Sequence, residues 1–170
     1  MSLARKKNSL FQREGGTNPL STIKLRSISA AETYELRHRI LRPHQTLNEC
    51  VFPYDTAPGA LHIGGFLGDQ LIGVGSIVPD AREEASQPTS WRVRGVAVLE
   101  EVRGTGTGGK ILQALINYAR TQSLPAEMWG NGRANVKGFY ERFGFVQEGK
   151  PFEMPGLGSH VYLVKILHPS

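Results

Sequence analysis

The sequence predicts an α+β fold, and three observations carry that expectation. A strand, a glycine-rich turn and an amphipathic helix follow in direct succession from Trp91 to Ala119. A hairpin pattern precedes them, and further short strands come after them toward the C-terminus. Together these elements make a sheet with accompanying helices.

Taken in order, Ile23 to Ile28 alternates as a first strand. Ser29 is a cap for a helix from Ala30 through Leu41, which Pro43 keeps from continuing. Leu47 to Thr56 is irregular, with room for a second short helix. Leu61 to Leu67 and Gln70 to Ile77, joined by Gly68-Asp69, read as a hairpin with a tight turn. Pro79 to Thr89, charged and carrying Pro88, reads as a surface loop. Val93, Val96 and Val98 mark the strand from Trp91 to Val98. The segment Arg103-Gly-Thr-Gly-Thr-Gly108 is too glycine-rich for anything but a tight loop. Gly109 to Tyr118 then places Ile111, Leu112, Leu115 and Ile116 on one helical stripe. A short strand near Met128-Trp129, a short helix through Tyr140, and strands near Phe145 and over Val161 to Leu167 complete the sheet.

At 170 residues the chain predicts one domain, long enough to bury about two-thirds of its extended-chain surface. Residues 1–21, basic and polar, read as a flexible arm, and residues 22–170 as the folded domain. No apolar run reaches membrane-spanning length, and the N-terminus lacks the apolar centre of a secretory signal. A lone cysteine, Cys50, fits a reducing cytoplasm. No metal-ligand spacing is present, so no metal is expected. Part of the net charge of +5 sits in the arm, and no basic helix with interleaved aromatics accompanies it, which argues against nucleic acid. A positive balance suits anionic ligands, whose approach the field favours.

A glycine-rich turn feeding a helix presents unpaired N–H groups and the positive end of the helix dipole, a place for a phosphate. The nucleotide-binding lysine-loop pattern fails, because Gly109-Lys110 is followed by Ile111 rather than Ser or Thr. The dinucleotide pattern fails too, because Glu127 does not end a strand. A third pattern is Arg/Gln-x-x-Gly-x-Gly/Ala, matched by Arg103, Gly106 and Gly108, and a helix-entry loop without ligand is the alternative to it. Downstream, Gly138-Phe-Tyr-Glu-Arg-Phe-Gly-Phe145 supplies a short helix ending in Tyr-x-x-x-Gly-Phe. These two motifs, in this order and spacing, resemble the signatures of the GNAT N-acetyltransferase superfamily.

That resemblance implies a mixed, mostly antiparallel sheet flanked by helices, and acetyl-CoA as co-substrate. It implies that the N–H groups of Arg103, Gly104, Thr105, Gly106, Thr107, Gly108 and Gly109 hold the CoA pyrophosphate. It also implies a splayed strand whose Val96, Ala97 and Val98 supply a backbone donor to the thioester carbonyl. Tyr140 is the candidate partner of the departing thiolate, since a phenol donates a hydrogen bond.

A closer resemblance runs from about Thr22 to the last strand. Thr33 to Pro43, Phe66 with its flanking glycines, Arg94-Gly95, Asn131-Gly-Arg133 and Gly156 to His160 are similar to the glyphosate N-acetyltransferases, a bacterial branch of the superfamily. The implied substrate-binding residues are Arg42, Arg94 and Arg133, and the implied base is His160. Arg133 stands where many superfamily members carry a cofactor-binding asparagine, which leaves open whether Asn131 or Asn135 contacts CoA. Guanidinium groups from three separate elements favour a small amine carrying carboxylate or phosphonate groups, glyphosate among them. His38, His44, His62 and His168 read as structural, although His44 is close enough to Arg42 to line the same pocket. Acetylation of a peptide or protein amine, and a non-catalytic CoA-binding module, stay open as alternatives, as does a homodimer.

Overall fold

The computed structural model describes residues 22–170; the arm of residues 1–21 lies outside them. Seven strands form one sheet: β1 Lys24–Ile28, β2 Leu61–Leu67, β3 Gln70–Pro79, β4 Thr89–Val98, β5 Ala126–Arg133, β6 Val146–Met154 and β7 Gly158–Leu167. Their order is β1-β2-β3-β4-β5-β7-β6. Every pairing is antiparallel except β4 with β5. The expected mixed, mostly antiparallel sheet is therefore present.

Helix α1, residues 31–41, is not the regular helix that the sequence suggests. It begins as a 3₁₀ turn, passes through one α-turn at Tyr34–Leu36 and ends as the π-helical turn Arg37–Leu41. Arg42 N–H reaches back to Arg37 O at 3.1 Å, a five-residue closure, and Pro43 then stops the helix. The segment after it holds only a 3₁₀ turn, Leu47–Cys50. Helix α2, Thr107–Arg120, starts two residues earlier than its apolar stripe implies. Helix α3, Lys137–Glu141, is a single turn and a half. The strand near Met128-Trp129 is longer than expected, because it runs on to Arg133 beside β7.

Two apolar layers hold the sheet. Ile111, Leu112, Leu115 and Ile116 of α2 pack on one face with Trp91, Val93, Met128 and Leu163. Leu36 of α1 packs on the other with Ile72, Val74, Ala97 and Leu99. Strand β4 changes faces between these layers. Val93 pairs with Ile77 and Arg94 with Ser76, but Ala97 pairs with Val74, so one extra residue stands in β4 at Gly95-Val96. Such a bulge reverses the side-chain parity of the residues beyond it. It lets Arg92 and Arg94 face the α1 side while Val93 and Val96 face α2. Gly95 sits at φ +64, and a Cβ there would lie 2.9 Å from Arg37 Nε and 3.3 Å from the Phe52 ring.

The second feature that positions the site is a wedge. Strands β4 and β5 pair only from Thr89↔Ala126 to Arg92↔Trp129. At Gly130 the strands still touch, since a Cβ there would meet Val93 O at 2.7 Å. Beyond it they part: β5 continues against β7 to Arg133, and β4 continues against β3 to Val98.

Candidate active site

The parting strands open a cavity of about 410 Å3, lined by residues of α1, β4, β5, β7 and the segment around Phe52. Arg42, Arg94, Arg133, His160, Tyr140, Val96, Ala97, Val98 and Arg103 all line it, as do Asn131 and Asn135. The sequence-predicted residues thus meet around one space, and the glycine loop adjoins it. His44 does not line it and is exposed.

Local structure explains each placement. Leu99 N–H donates to Ile72 O at 2.9 Å, which aims alternate N–H groups of β4 toward β3 and leaves that of Val98 facing the wedge. Next comes the loop. Gly106 adopts φ +85, a left-handed conformation that favours glycine, and no side chain caps α2. The first intrahelical bond near this end is Lys110 N–H to Gly106 O at 3.0 Å, so the N–H groups of Thr107, Gly108 and Gly109 have no helical partner. Thr105 folds its hydroxyl inward, donating to Val102 O at 2.5 Å, which leaves the rim to backbone and to exposed Arg103.

Cross-strand register brings His160 and Arg133 together. Arg133 and His160 are directly paired on β5 and β7, so their side chains leave the sheet on the same face. His160 is buried, and its Nδ1–H donates to Gly158 O at 2.9 Å. In the neutral ring that bond puts the proton on Nδ1 and leaves the Nε2 lone pair available. Arg133 Nη2 donates to Leu41 O at 2.6 Å and is held at the end of α1. Tyr140 packs edge-on against Phe139 and Phe145, at centroid distances of 5.1 and 5.6 Å. Burial pushes its phenol up to about 12.

Charge is the distinguishing property of this cavity. Among the described residues, no Asp or Glu lines it. Arg37, just beneath, is neutralised by Asp55 at 2.6 Å, and Arg92 by Asp80 at 3.3 Å. Arg42, Arg94, Arg103 and Arg133 have no carboxylate at ion-pair distance among the described residues. Burial, then the charges of Arg92, Arg37 and Arg42, pull Arg94 down to about 9. Its Nε is buried without a hydrogen-bond partner among the described residues, as is Asn131 Oδ1. Burial also lowers Arg42. A set of guanidinium groups with this little compensation leaves the cavity strongly positive.

Phe52 carries no signal in the sequence. Its ring carries Arg94, Arg37 and Arg42, with guanidinium carbons 4.0, 4.2 and 4.7 Å from the centroid. It lies in an irregular segment where no periodicity marks it. Arg37 did leave a signal: it follows Thr33 by four positions on the inward stripe of α1, where a charge demands a buried partner.

An acetyltransferase (GNAT) domain family matches residues 61–147. The uncharacterized N-acetyltransferase YitI of Bacillus subtilis is 35% identical over 148 residues, covering 87% of this chain and 99% of that protein. Among solved structures, Escherichia coli ElaA matches with a TM-score of 0.69 at 18% identity, over 85% of this chain and 99% of the other. A GNAT family acetyltransferase from Elizabethkingia anophelis, solved with acetyl-CoA bound, matches with a TM-score of 0.62 at 17% identity, over 85% of this chain and 98% of the other. Family match, close relative, splayed sheet and glycine loop agree: the chain belongs to the GNAT acetyltransferases.

Proposed function

We propose that this enzyme transfers the acetyl group of acetyl-CoA to the amine of a small anionic substrate, an amino acid or aminophosphonate, with glyphosate as one acceptor to test. The observation that carries the reading is the acid-free cavity holding Arg42, Arg94 and Arg133 beside His160. A cationic acceptor would be repelled there, whereas carboxylate or phosphonate oxygens find planar donors.

Each residue then has one task. The N–H groups from Arg103 to Gly109, with the Arg103 side chain, hold the CoA pyrophosphate. The amine attacks the thioester carbon, its nitrogen–carbon bond forms, and its proton passes to His160 Nε2. The Val98 N–H, facing the wedge, holds the resulting oxyanion. The carbon–sulfur bond breaks and the electron pair leaves on sulfur. Tyr140, with its phenol at about 12, is a far weaker acid than a thiol near 8.5, so it donates a hydrogen bond and keeps its proton. The departing thiolate takes its proton from His160 or solvent.

Tyr140→Phe is therefore expected to lower kcat about 10- to 100-fold with little change in KM for acetyl-CoA. In the wild type, ionisation of Tyr140 should remove no activity below about pH 10, since a raised phenol pKa keeps the donor protonated across that range. A Tyr140→Phe variant with wild-type kcat removes the role.

The acceptor reading is tested by thiol release from acetyl-CoA with glyphosate, acidic and phosphonate amino acids, a polyamine, an aminoglycoside and a basic peptide. Turnover confined to the anionic acceptors is expected. Turnover confined to the cationic ones overturns the pocket assignment while leaving the acetyltransferase intact. We place the enzyme in the cytoplasm, on its single free cysteine, the buried Cys50, and treat residues 22–170 as one acyltransferase domain.

A further inference from the structure

Beneath the cavity lies a buried ring of polar groups with no part in the chemistry above. The Arg37 guanidinium forks onto Asp55, with Nη1 to Oδ2 at 2.6 Å and Nη2 to Oδ1 at 3.0 Å. Nη2 also donates to Ser76 Oγ at 2.9 Å. Having accepted there, the Ser76 hydroxyl sends its own proton to His62 Nδ1, 2.6 Å away. His62 must then carry its proton on Nε2, which donates to Asp55 O at 2.7 Å. The ring closes, and it has one further tie: Phe52 N–H donates to Asp55 Oδ2 at 2.9 Å.

All four members are buried, and none lines the cavity. A buried ion pair is weak ground for stability, and its best-attested service is to fix a geometry. What this one fixes is Phe52, whose main chain hangs on Asp55 and whose ring lies against Arg37. Arg94 and Arg42, the two cavity arginines without a carboxylate that stack on that ring, have few other constraints. Arg94 makes no hydrogen bond with a described residue, and Arg42 has only Gln45 Oε1 at 3.1 Å and Glu49 O at 3.5 Å.

We propose that the Arg37–Asp55–Ser76–His62 ring is a positioning device that locks Phe52 and, through its ring, sets Arg94 and Arg42 for the acceptor. The kinetic part of this inference rests on the reading of those arginines as acceptor ligands; the ordering part does not.

Ser76→Ala opens the ring but keeps the Arg37–Asp55 fork, so it should fold even if the harsher Asp55→Asn does not. Two readouts apply to the full chain. The first is 15N relaxation of the arginine Nε–H groups, where Arg94 and Arg42 should become markedly more mobile than in the wild type. The second is steady-state kinetics, where KM for the anionic acceptor should rise about 10-fold while kcat and KM for acetyl-CoA stay within about twofold. A purely structural role would lower Tm without that selective change. A folded Ser76→Ala protein with wild-type arginine order overturns the inference. Mobile arginines with an unchanged acceptor KM overturn its link to binding. A wild type that acetylates no anionic amine overturns the acceptor reading instead, and the relaxation result still decides whether the ring positions the arginines.

Discussion

Replacing His160 by alanine should lower kcat at neutral pH by about 10²- to 10⁴-fold, the usual contribution of a positioned general base. KM for acetyl-CoA should hardly move, because His160 lies on β7 and is no part of the loop at the start of α2. The reason for expecting so large a loss is geometric. Nδ1 is committed to Gly158 O, so Nε2 is free to accept a proton, and the paired strand places Arg133 directly alongside. In the proposed reading, an acceptor held by Arg133 through its anion has its amine near His160. The loss should shrink as pH rises toward the pKa of the acceptor's own amine, because solvent then removes the proton that His160 otherwise takes. A His160→Ala enzyme with unchanged kcat sinks the assignment. One whose defect is constant with pH points to a packing role.

Arg94→Met should have opposite effects on binding and stability. KM for anionic acceptors is expected to rise by about 10²-fold, as when one partner of a buried charged contact is removed. The unliganded protein is expected to gain about 1 kcal/mol, since a side chain of similar length then replaces a poorly compensated buried cation. For a domain of this size that is a rise in Tm of roughly 2–4 °C. Loss of the contact over Phe52 works against the gain. The origin of the effect is visible in Arg94 being drawn down to about 9 by burial and by three neighbouring arginines. Acceptor titrations and thermal melts on the same preparation check both signs. Unchanged acceptor KM with lowered Tm would make Arg94 structural, and the acceptor would have to bind elsewhere.

Much of the fold was legible because its signals are local. The glycine loop and the apolar stripe of α2 need only adjacent residues to be read; the stripe stands where the sequence puts it, while the loop gives way to helix at Thr107, two residues before Gly109. Arg42, Arg94, Arg133 and His160 became visible through a resemblance, and their meeting in one cavity is a property of the tertiary fold. The wedge was expected at Val96 to Val98, but its apex could not be read, because it depends on which residues of β5 oppose β4. Helix α1 reads as regular because its apolar spacing is regular. The π turn at its end arises from closure of Arg42 onto Arg37, which no propensity encodes. Phe52 and Asp55 were missed for a related reason. They lie in a segment without period, and their importance comes from the charges folded around them.

The bulge in β4 has a consequence for how such an enzyme diversifies. Within five residues it sets the face from which Arg94 emerges and the direction in which the Val98 amide points. In the proposed reading, donor grip and acceptor grip are therefore geared to the same length of backbone, and an insertion or deletion there should disturb both at once. The turn between β6 and β7, where Met154 and Leu157 touch the cavity, carries no such double duty. Descendants with new acceptors should accordingly differ first in that turn, while β4 stays as it is.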